Sequence, residues 1–561
     1  GGVFERKAKS IKLSPQVKQR FGLAKDSMTP AELIQALLRA DVDLLWLGGI
    51  GTYVKASDET HAEVGDRAND AVRVNADALN CKVVGEGANL GFTQRGRIEY
   101  ALKGGRINTD AVDNSAGVDT SDHEVNIKIL LNEIVVAGDM TRKQRDRLLG
   151  ELTDDVAALV LSDNYLQTQC LSVTQTVSSR LLDRHVRFMR TLEKAGRLDR
   201  GIEFLPNEEV IAERKAKGLG LTRSELAVLM AYAKIALEDE ILETDLPDDP
   251  QLGGELVGYF PQRLQERYPD EIGRHRLRRE IITTVVTNEI VNRGGNTFVH
   301  EVRENTGMGL AEVCRAYVAA REIFGMRALW QQIEGLDNAV PATLQGTLLL
   351  ECGRAVERGT TWLLRNEAQR LDIVATVATY RAGVEALIAA QGLIADTDRV
   401  EIDQRIASYA EQKVPKALAE RLGIMHLLPP SLDIVRISRT TSVPVEHVGR
   451  TYFAVGTRFG LDWLRRAAAA LPIDTHWDKQ AVVAITDDFY GHQRELTTRV
   501  LAAAAAARPA NGADTVEVWT SARGPAVQRA ESLIADLRQT GTAGLAMLAV
   551  ANRQLRGLTA V

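Results

Sequence analysis

Three stretches of this chain place small residues beside carboxamide and carboxylate side chains at spacings that can serve a ligand. They are Gly48-Gly49-Ile50-Gly51, Gly85-Glu86-Gly87-Ala88-Asn89 and Asn114-Ser115-Ala116-Gly117-Val118-Asp119-Thr120-Ser121. Glycines let a backbone come close to a ligand, and an Asn amide both donates to and accepts from a neutral partner. Ser121 and Glu124 have the spacing of a capping box, which predicts a helix starting at Ser121 with an N-terminus that favours an anion. Asp119, Asp122, His123 and Glu124 could together ligate a metal, but acidic residues are also favoured by the dipole at a helix N-terminus. No metal is therefore expected. Each glycine loop alone also reads as a tight turn. Gly85-x-Gly87-x-x-x-Gly91 misses the Gly-x-Gly-x-x-Gly phosphate fingerprint by one residue, and Gly48-Gly49-Ile50-Gly51 lacks its third glycine.

The elements that must position these loops follow from hydrophobic periodicity. Val42–Leu47 and Cys81–Val84 read as buried strands, each ending in glycines. Thr29 is a helix N-cap with Pro30 at the first helical position, and Ser57–Arg73 and Arg95–Leu102 read as helices. Strands alternating with helices predict parallel pairing, hence part of an open α/β sheet whose ligands bind at the carboxyl ends of the strands. After Ser121 the pattern becomes helical. Ile127, Leu130, Leu131, Ile134 and Val135 mark one apolar face. Helical stretches are predicted at 141–161, 172–195, 224–243, 277–302, 310–323, 344–365, 398–413, 445–471, 476–508 and 526–556. The expected division is residues 1–138 for the α/β part and 139–561 for a helical domain. Arg184, His185, Arg187 and Arg190 form a basic helix face, expected to make an intramolecular or subunit contact.

Composition bounds the class. The 561 residues are 45% hydrophobic, enough for more than one domain, and the net charge of −6 gives no reason to expect nucleic acid. The four cysteines, Cys81, Cys170, Cys314 and Cys352, are far apart, which argues against a disulfide framework or a zinc site and for a reducing cytoplasm. No apolar run approaches the roughly 18 residues that span a bilayer. The N-terminus has no signal-peptide pattern, and without an initiator Met the chain reads as cut from something longer.

Taken together, the loops resemble those of glutamate dehydrogenases. Leu45-Trp46-Leu47-Gly48-Gly49, Glu86-Gly87-Ala88-Asn89 and Asn114-Ser115-Ala116-Gly117-Val118-Asp119-Thr120-Ser121 are similar to three successive strand-end loops of that family. Three further stretches look like the large, tetrameric NAD-dependent branch. They are Gly48-Gly49-Ile50-Gly51-Thr52-Tyr53-Val54-Lys55, Gly104-Gly105-Arg106-Ile107-Asn108-Thr109-Asp110 and Asn292-Arg293-Gly294-Gly295-Asn296-Thr297-Phe298-Val299.

The resemblance implies a Rossmann-like NAD-binding fold in residues 1–138. In it Gly48 and Gly49 let the backbone approach the dinucleotide, and Asn89 and Asn114 hydrogen-bond its nicotinamide end. Val118 lines the pocket for the substrate's methylenes, and Ser121 meets its distal carboxylate. It also implies that the catalytic lysine and aspartate, and the pyrophosphate loop, lie upstream, so no catalytic residue is assigned in this chain. The expected reaction is NAD-dependent oxidative deamination of L-glutamate to 2-oxoglutarate by a cytoplasmic homo-oligomer, a tetramer under allosteric control by effectors or a regulatory protein. Two alternatives stand beside it: a dehydrogenase of branched-chain or aromatic amino acids, and a non-catalytic assembly or regulatory module.

Overall fold

The computed structural model describes residues 2–367, 370–390, 396–472, 476–505, 511–540 and 544–559. The chain forms two compact units, Gly1–Cys314 and Arg315–Val561. Both are mainly helical, with small sheets confined to the first.

In the first unit, β1 (Leu44–Leu47) and β2 (Val83–Glu86) pair in parallel, with Leu44 opposite Val83 and Leu47 opposite Glu86. A second parallel pair, Val54–Lys55 with Val74–Asn75, lies in the connection between them. Leu47, Val54, Val74, Val84, Phe92 and Tyr100 form the core of this region. β1 is buried on one face only, not both as its unbroken apolar run predicts. Leu44 and Trp46 point outward at 55% and 60% exposure. The expected helix 57–73 is also broken up. Thr60 and Glu63 form a capping box that starts the short helix His61–Val64, and Gly65 ends it at φ 78°, a conformation glycine adopts freely. A 3-10 turn, Arg67–Asn69, follows. Thr29 and Pro30 start their helix as expected.

Five helices frame the site: α1 (Gln94–Leu102), α2 (Ser115–Ala137), α3 (Thr153–Thr176), α4 (Arg223–Leu242) and α5 (Arg278–Gly294). Ile127, Leu130, Leu131 and Ile134 bury the predicted face of α2. The helix ends at Gly138, φ 89°, so the expected division after residue 138 falls at this cap, inside the first unit. The predicted stretches 141–161 and 172–195 are redivided at Leu152 and Val177 into Arg142–Glu151, α3 and Ser178–Lys194. Gly295, at φ 90°, breaks the stretch 277–302. α4 packs on both α3 and α5, and α3 packs on α2. The basic face of Ser178–Lys194 is held within the unit, with Arg184 on Glu301, Arg187 on Glu304 at 3.4 Å and Arg190 on Glu208 at 2.7 Å.

The described part of the second unit is helical. Val455, Phe459, Phe489, Leu496 and Trp519 are fully or almost fully buried at its centre. The expected helix 445–471 divides into Val445–Arg458 and Leu461–Ala469 at Gly460, φ 61°. Residues 506–508 and 541–543 of two other predicted helices lie outside the described residues. All four cysteines are buried and none forms a disulfide with another. No helix among the described residues is long and apolar enough to cross a membrane.

Candidate functional site: a polar cleft at the carboxyl ends of parallel strands

The parallel register brings the first two loops together. Leu47 and Glu86 end their strands side by side, and the Ala88 N–H donates to the Leu47 carbonyl at 3.0 Å. Glu86 is fully buried and meets the Arg97 guanidinium of α1 through two bonds, Nε to Oε2 at 2.7 Å and Nη2 to Oε1 at 2.9 Å. Its Oε1 also accepts from the Phe92 N–H at 3.0 Å, and the Asp113 carboxylate accepts from its own N–H at 2.9 Å. The Glu in this turn is therefore a strut. A Cβ at Gly85 or Gly87 would fall 2.5 Å or 2.3 Å from the Trp46 ring, so a side chain at either would displace that ring. Gly48 and Gly49 differ: they are exposed, and a Cβ at Gly49 would touch nothing. Their backbone is open to a ligand.

Asn114 ties the third loop to the second. Its Nδ2 donates to the Gly87 carbonyl at 2.5 Å, while its own helix termini get no side-chain cap from it. A short helix, Asp110–Asp113, runs through Asn114 directly into α2. Asn164 of α3 pins that junction, donating to the Val112 carbonyl at 3.0 Å and to the Ser115 hydroxyl at 2.9 Å. α2 thus starts six residues earlier than the capping-box pattern predicts, at Ser115 rather than at Ser121. Ser121 is an exposed residue inside the helix, and Glu124 pairs with Lys128 one turn on. The capping box is not formed, and the acidic cluster after Asp119 lies beyond the first turn. Asp122 accepts from the Tyr259 hydroxyl at 2.7 Å.

A cleft of about 800 Å³ opens along α2. Asn89, Asn114 and Val118 line it, whereas Gly48, Gly49 and Ser121 do not. Its other wall comes from helices: Asp163 of α3, Lys234 of α4, and Asn288 and Asn292 of α5. Burial and the neighbouring Asp163 carboxylate push the Asp119 carboxyl up to about 6. Burial brings the Lys234 ammonium down to about 8, against the opposing pull of Cys170, Asp163 and Asp119. Asp119, His123 and Asp163 each place one potential metal-ligand atom within 4.8 Å of the others, in a cleft where Lys234 supplies competing positive charge. Asp163, Lys234 and Asn292 were not expected as site residues. One signal for Lys234 was present, since it is the lone charge in the run Leu226–Leu237.

The fold and site define a class: a small parallel α/β segment whose loop edge is closed by helices into a polar ligand cleft. Comparison with known proteins places it further. A model described as "Glutamate dehydrogenase, C-terminal" matches residues 218–557, and one described as "Bacterial NAD-glutamate dehydrogenase, catalytic domain" matches residues 1–174. The chain belongs to the glutamate dehydrogenase family. It is similar to an NAD-specific glutamate dehydrogenase of Pseudomonas aeruginosa, 45% identical over 100% of this chain and 34% of the relative. Relatives with the same description from Halomonas elongata and Mycobacterium tuberculosis are 42% and 41% identical, covering 99% and 100% of this chain and 34% and 35% of their own lengths. The chain thus spans about a third of the length of these relatives. The cleft draws residues from both matched regions, Asn89 to Asp163 from one and Lys234 to Asn292 from the other.

Proposed function

We propose that this chain is the C-terminal part of an enzyme that oxidatively deaminates L-glutamate to 2-oxoglutarate and ammonium with NAD. The carrying observation is the convergence of two separate motifs, one with Asn89 and one with Asn114 and Val118, on one cleft beside the carboxyl end of β2. In this reading residues 1–138 belong to a Rossmann-like cofactor domain. The parallel pair, its glycine turns and the outward apolar face of Leu44 and Trp46 support it, because a two-stranded sheet is marginal alone and gains from further strands. Residues 139–561 act as the helical domain.

NAD, when bound, takes up the hydride lost from the substrate's Cα. This chain's residues hold the reactants. Gly48 and Gly49 leave room for the dinucleotide backbone, and Asn89 and Asn114 offer amides to its nicotinamide end. Val118, 75% exposed in the cleft, packs on the substrate's methylenes. Ser121, turned roughly 60° round α2 from Val118, reaches a carboxylate from the rim. The acid/base pair of the reaction is assigned to chain outside these residues, and the whole enzyme to a cytoplasmic homotetramer with allosteric effectors.

The test is glutamate-dependent NADH formation, followed by absorbance, by the full-length protein. Turnover with glutamate well above that with norvaline or leucine is expected. Absence of glutamate turnover, or a preference for the apolar amino acids, overturns the proposal. Residues 1–561 alone should give no measurable turnover.

A further inference from the structure

The loop motifs leave the helical wall of the cleft unexplained, and its polar groups are unusual. Lys234 is half-buried there, yet it makes no hydrogen bond and no ion pair within 4 Å among the described residues. Two buried polar side chains beside the cleft are also unsatisfied. Asn292, 9% exposed, lines it with an Oδ1 that lacks a partner. His123, 2% exposed and stacked on Tyr259 at 4.3 Å, has no hydrogen-bond partner for either ring nitrogen. Its Nε2 lies 3.6 Å from Asp163 and 4.0 Å from Asp119. Folded proteins pair almost all such groups, and a stranded one costs about 1–3 kcal/mol. Lys234 and the Asn292 Oδ1, which both line the cleft, point to a ligand that completes them.

Charge narrows the ligand. Among the described residues, Lys234 is the one cation lining the cleft. Of the carboxylates, Asp110 is occupied by Arg97 and the Leu90 N–H, and Asp122 by Tyr259. Asp119 and Asp163 remain, next to His123. A ligand with a carboxylate for Lys234 and an ammonium for the Asp119–Asp163 side matches this arrangement, and an amino-acid zwitterion has both.

We propose that Lys234, from the helical region, binds a carboxylate of the substrate, with the Asn292 amide beside it and the α-ammonium directed toward Asp119 and Asp163. This rests on the amino-acid dehydrogenase reading above and names the residue that reads the substrate's negative charge. Ser121, which does not line the cleft, is then secondary.

The experiment compares Lys234→Met, Lys234→Arg and Ser121→Ala in the full-length enzyme. Lys234→Met should raise KM for both glutamate and 2-oxoglutarate by about tenfold to a hundredfold, as expected when a charge-assisted bond is lost. Its kcat should fall less, and Lys234→Arg should recover part of the loss. Glutarate, a dicarboxylate that cannot react, should raise the melting temperature of the wild type but not of Lys234→Met, a readout that needs no turnover. If Lys234→Met lowers stability while KM and the glutarate effect stay within twofold of wild type, the lysine merely neutralises Asp119 and Asp163, and the inference is overturned. If that variant does not fold, a glutarate effect retained in full by Lys234→Gln overturns it equally. A wild type that binds glutarate through Lys234 but does not turn over glutamate sinks the proposed reaction and leaves the carboxylate site standing.

Discussion

The cleft of the first unit and a groove of the second are close in size, about 800 and 990 Å³, but their polar groups are in opposite states. In the groove four arginines are paired with carboxylates, and a fifth, Arg436, donates to the Asn366 Oδ1 at 3.0 Å. Arg365 pairs with Asp487, Arg494 with Asp433 at 2.9 Å, Arg499 with Glu495 at 2.9 Å and Arg556 with Asp488 at 3.3 Å. His492 meets Asn552 at 2.7 Å. In the cleft, Lys234 makes no hydrogen bond or ion pair among the described residues, and the Asn292 Oδ1 has no hydrogen-bond partner. The larger cavity is lined by paired groups, and the smaller one includes polar groups that are not paired. Volume does not separate them; polar satisfaction does.

The largest expected effect comes from the strut beneath the cleft. Arg97→Met leaves Glu86 buried without its counter-charge and should cost about 3–5 kcal/mol in urea denaturation, because neither water nor another cation reaches it. A loss below about 1 kcal/mol would show that the Glu86–Asn89 turn is held by something else.

Next is Asp119, whose carboxyl is pushed up to about 6. The folded state then holds this proton more tightly than the unfolded chain, whose Asp titrates near 3.9. The resulting stabilisation is full below about pH 3.9 and is lost as pH rises through about 6. Asp119→Asn should remove that step, flatten the melting profile between about pH 4 and 6, and raise stability at pH 7 by about 1 kcal/mol. It should do so while weakening turnover. A variant less stable than wild type at pH 7 would mean that Asp119 is a satisfied ion-pair partner, like those of the groove.

Asn114→Ala loses the bond to the Gly87 carbonyl and should cost about 1 kcal/mol. If the amide also serves the cofactor, KM for NAD rises more than this small destabilisation explains. An unchanged KM confines Asn114 to joining two loops.

The smallest effects sharpen the contrast. Arg499→Ala, in the groove, should change stability by no more than about 0.5 kcal/mol, since its pair is solvent-exposed. A drop of 2 kcal/mol would break the picture of a merely solvated surface there. Ser121→Ala should also stay within about 0.5 kcal/mol by calorimetry. A loss near 1 kcal/mol, the usual cost of a missing N-cap, would place the start of α2 at Ser121 after all.

Much of this arrangement is local and was legible in the residues. Strand ends marked by glycines, the Thr29–Pro30 helix start and the buried face of α2 depend on backbone propensity and on the period of the chain, which neighbouring residues decide by themselves. Asn89 follows β2 at the edge where loops leave parallel strands, as one topological rule predicts, but Gly48 and Gly49, which leave β1 at the same edge, do not line the cleft. The start of α2 was misread because Ser121 and Glu124 carry a sound local signal that a non-local one defeats. Asn164, about fifty positions on, pins Val112 and Ser115 and lets the helix begin earlier. The two-sided burial expected for β1 failed for a related reason, since hydrophobicity reports what a strand can bury and packing decides what covers it. Only the tertiary structure could bring Asp163, Lys234 and Asn292 to the loops. They are far apart in the chain, and a lysine in an apolar helix looks the same in sequence whether it reaches for solvent or faces a cleft. The physical difference is what surrounds its ammonium, and that is settled by the packing of α3, α4 and α5.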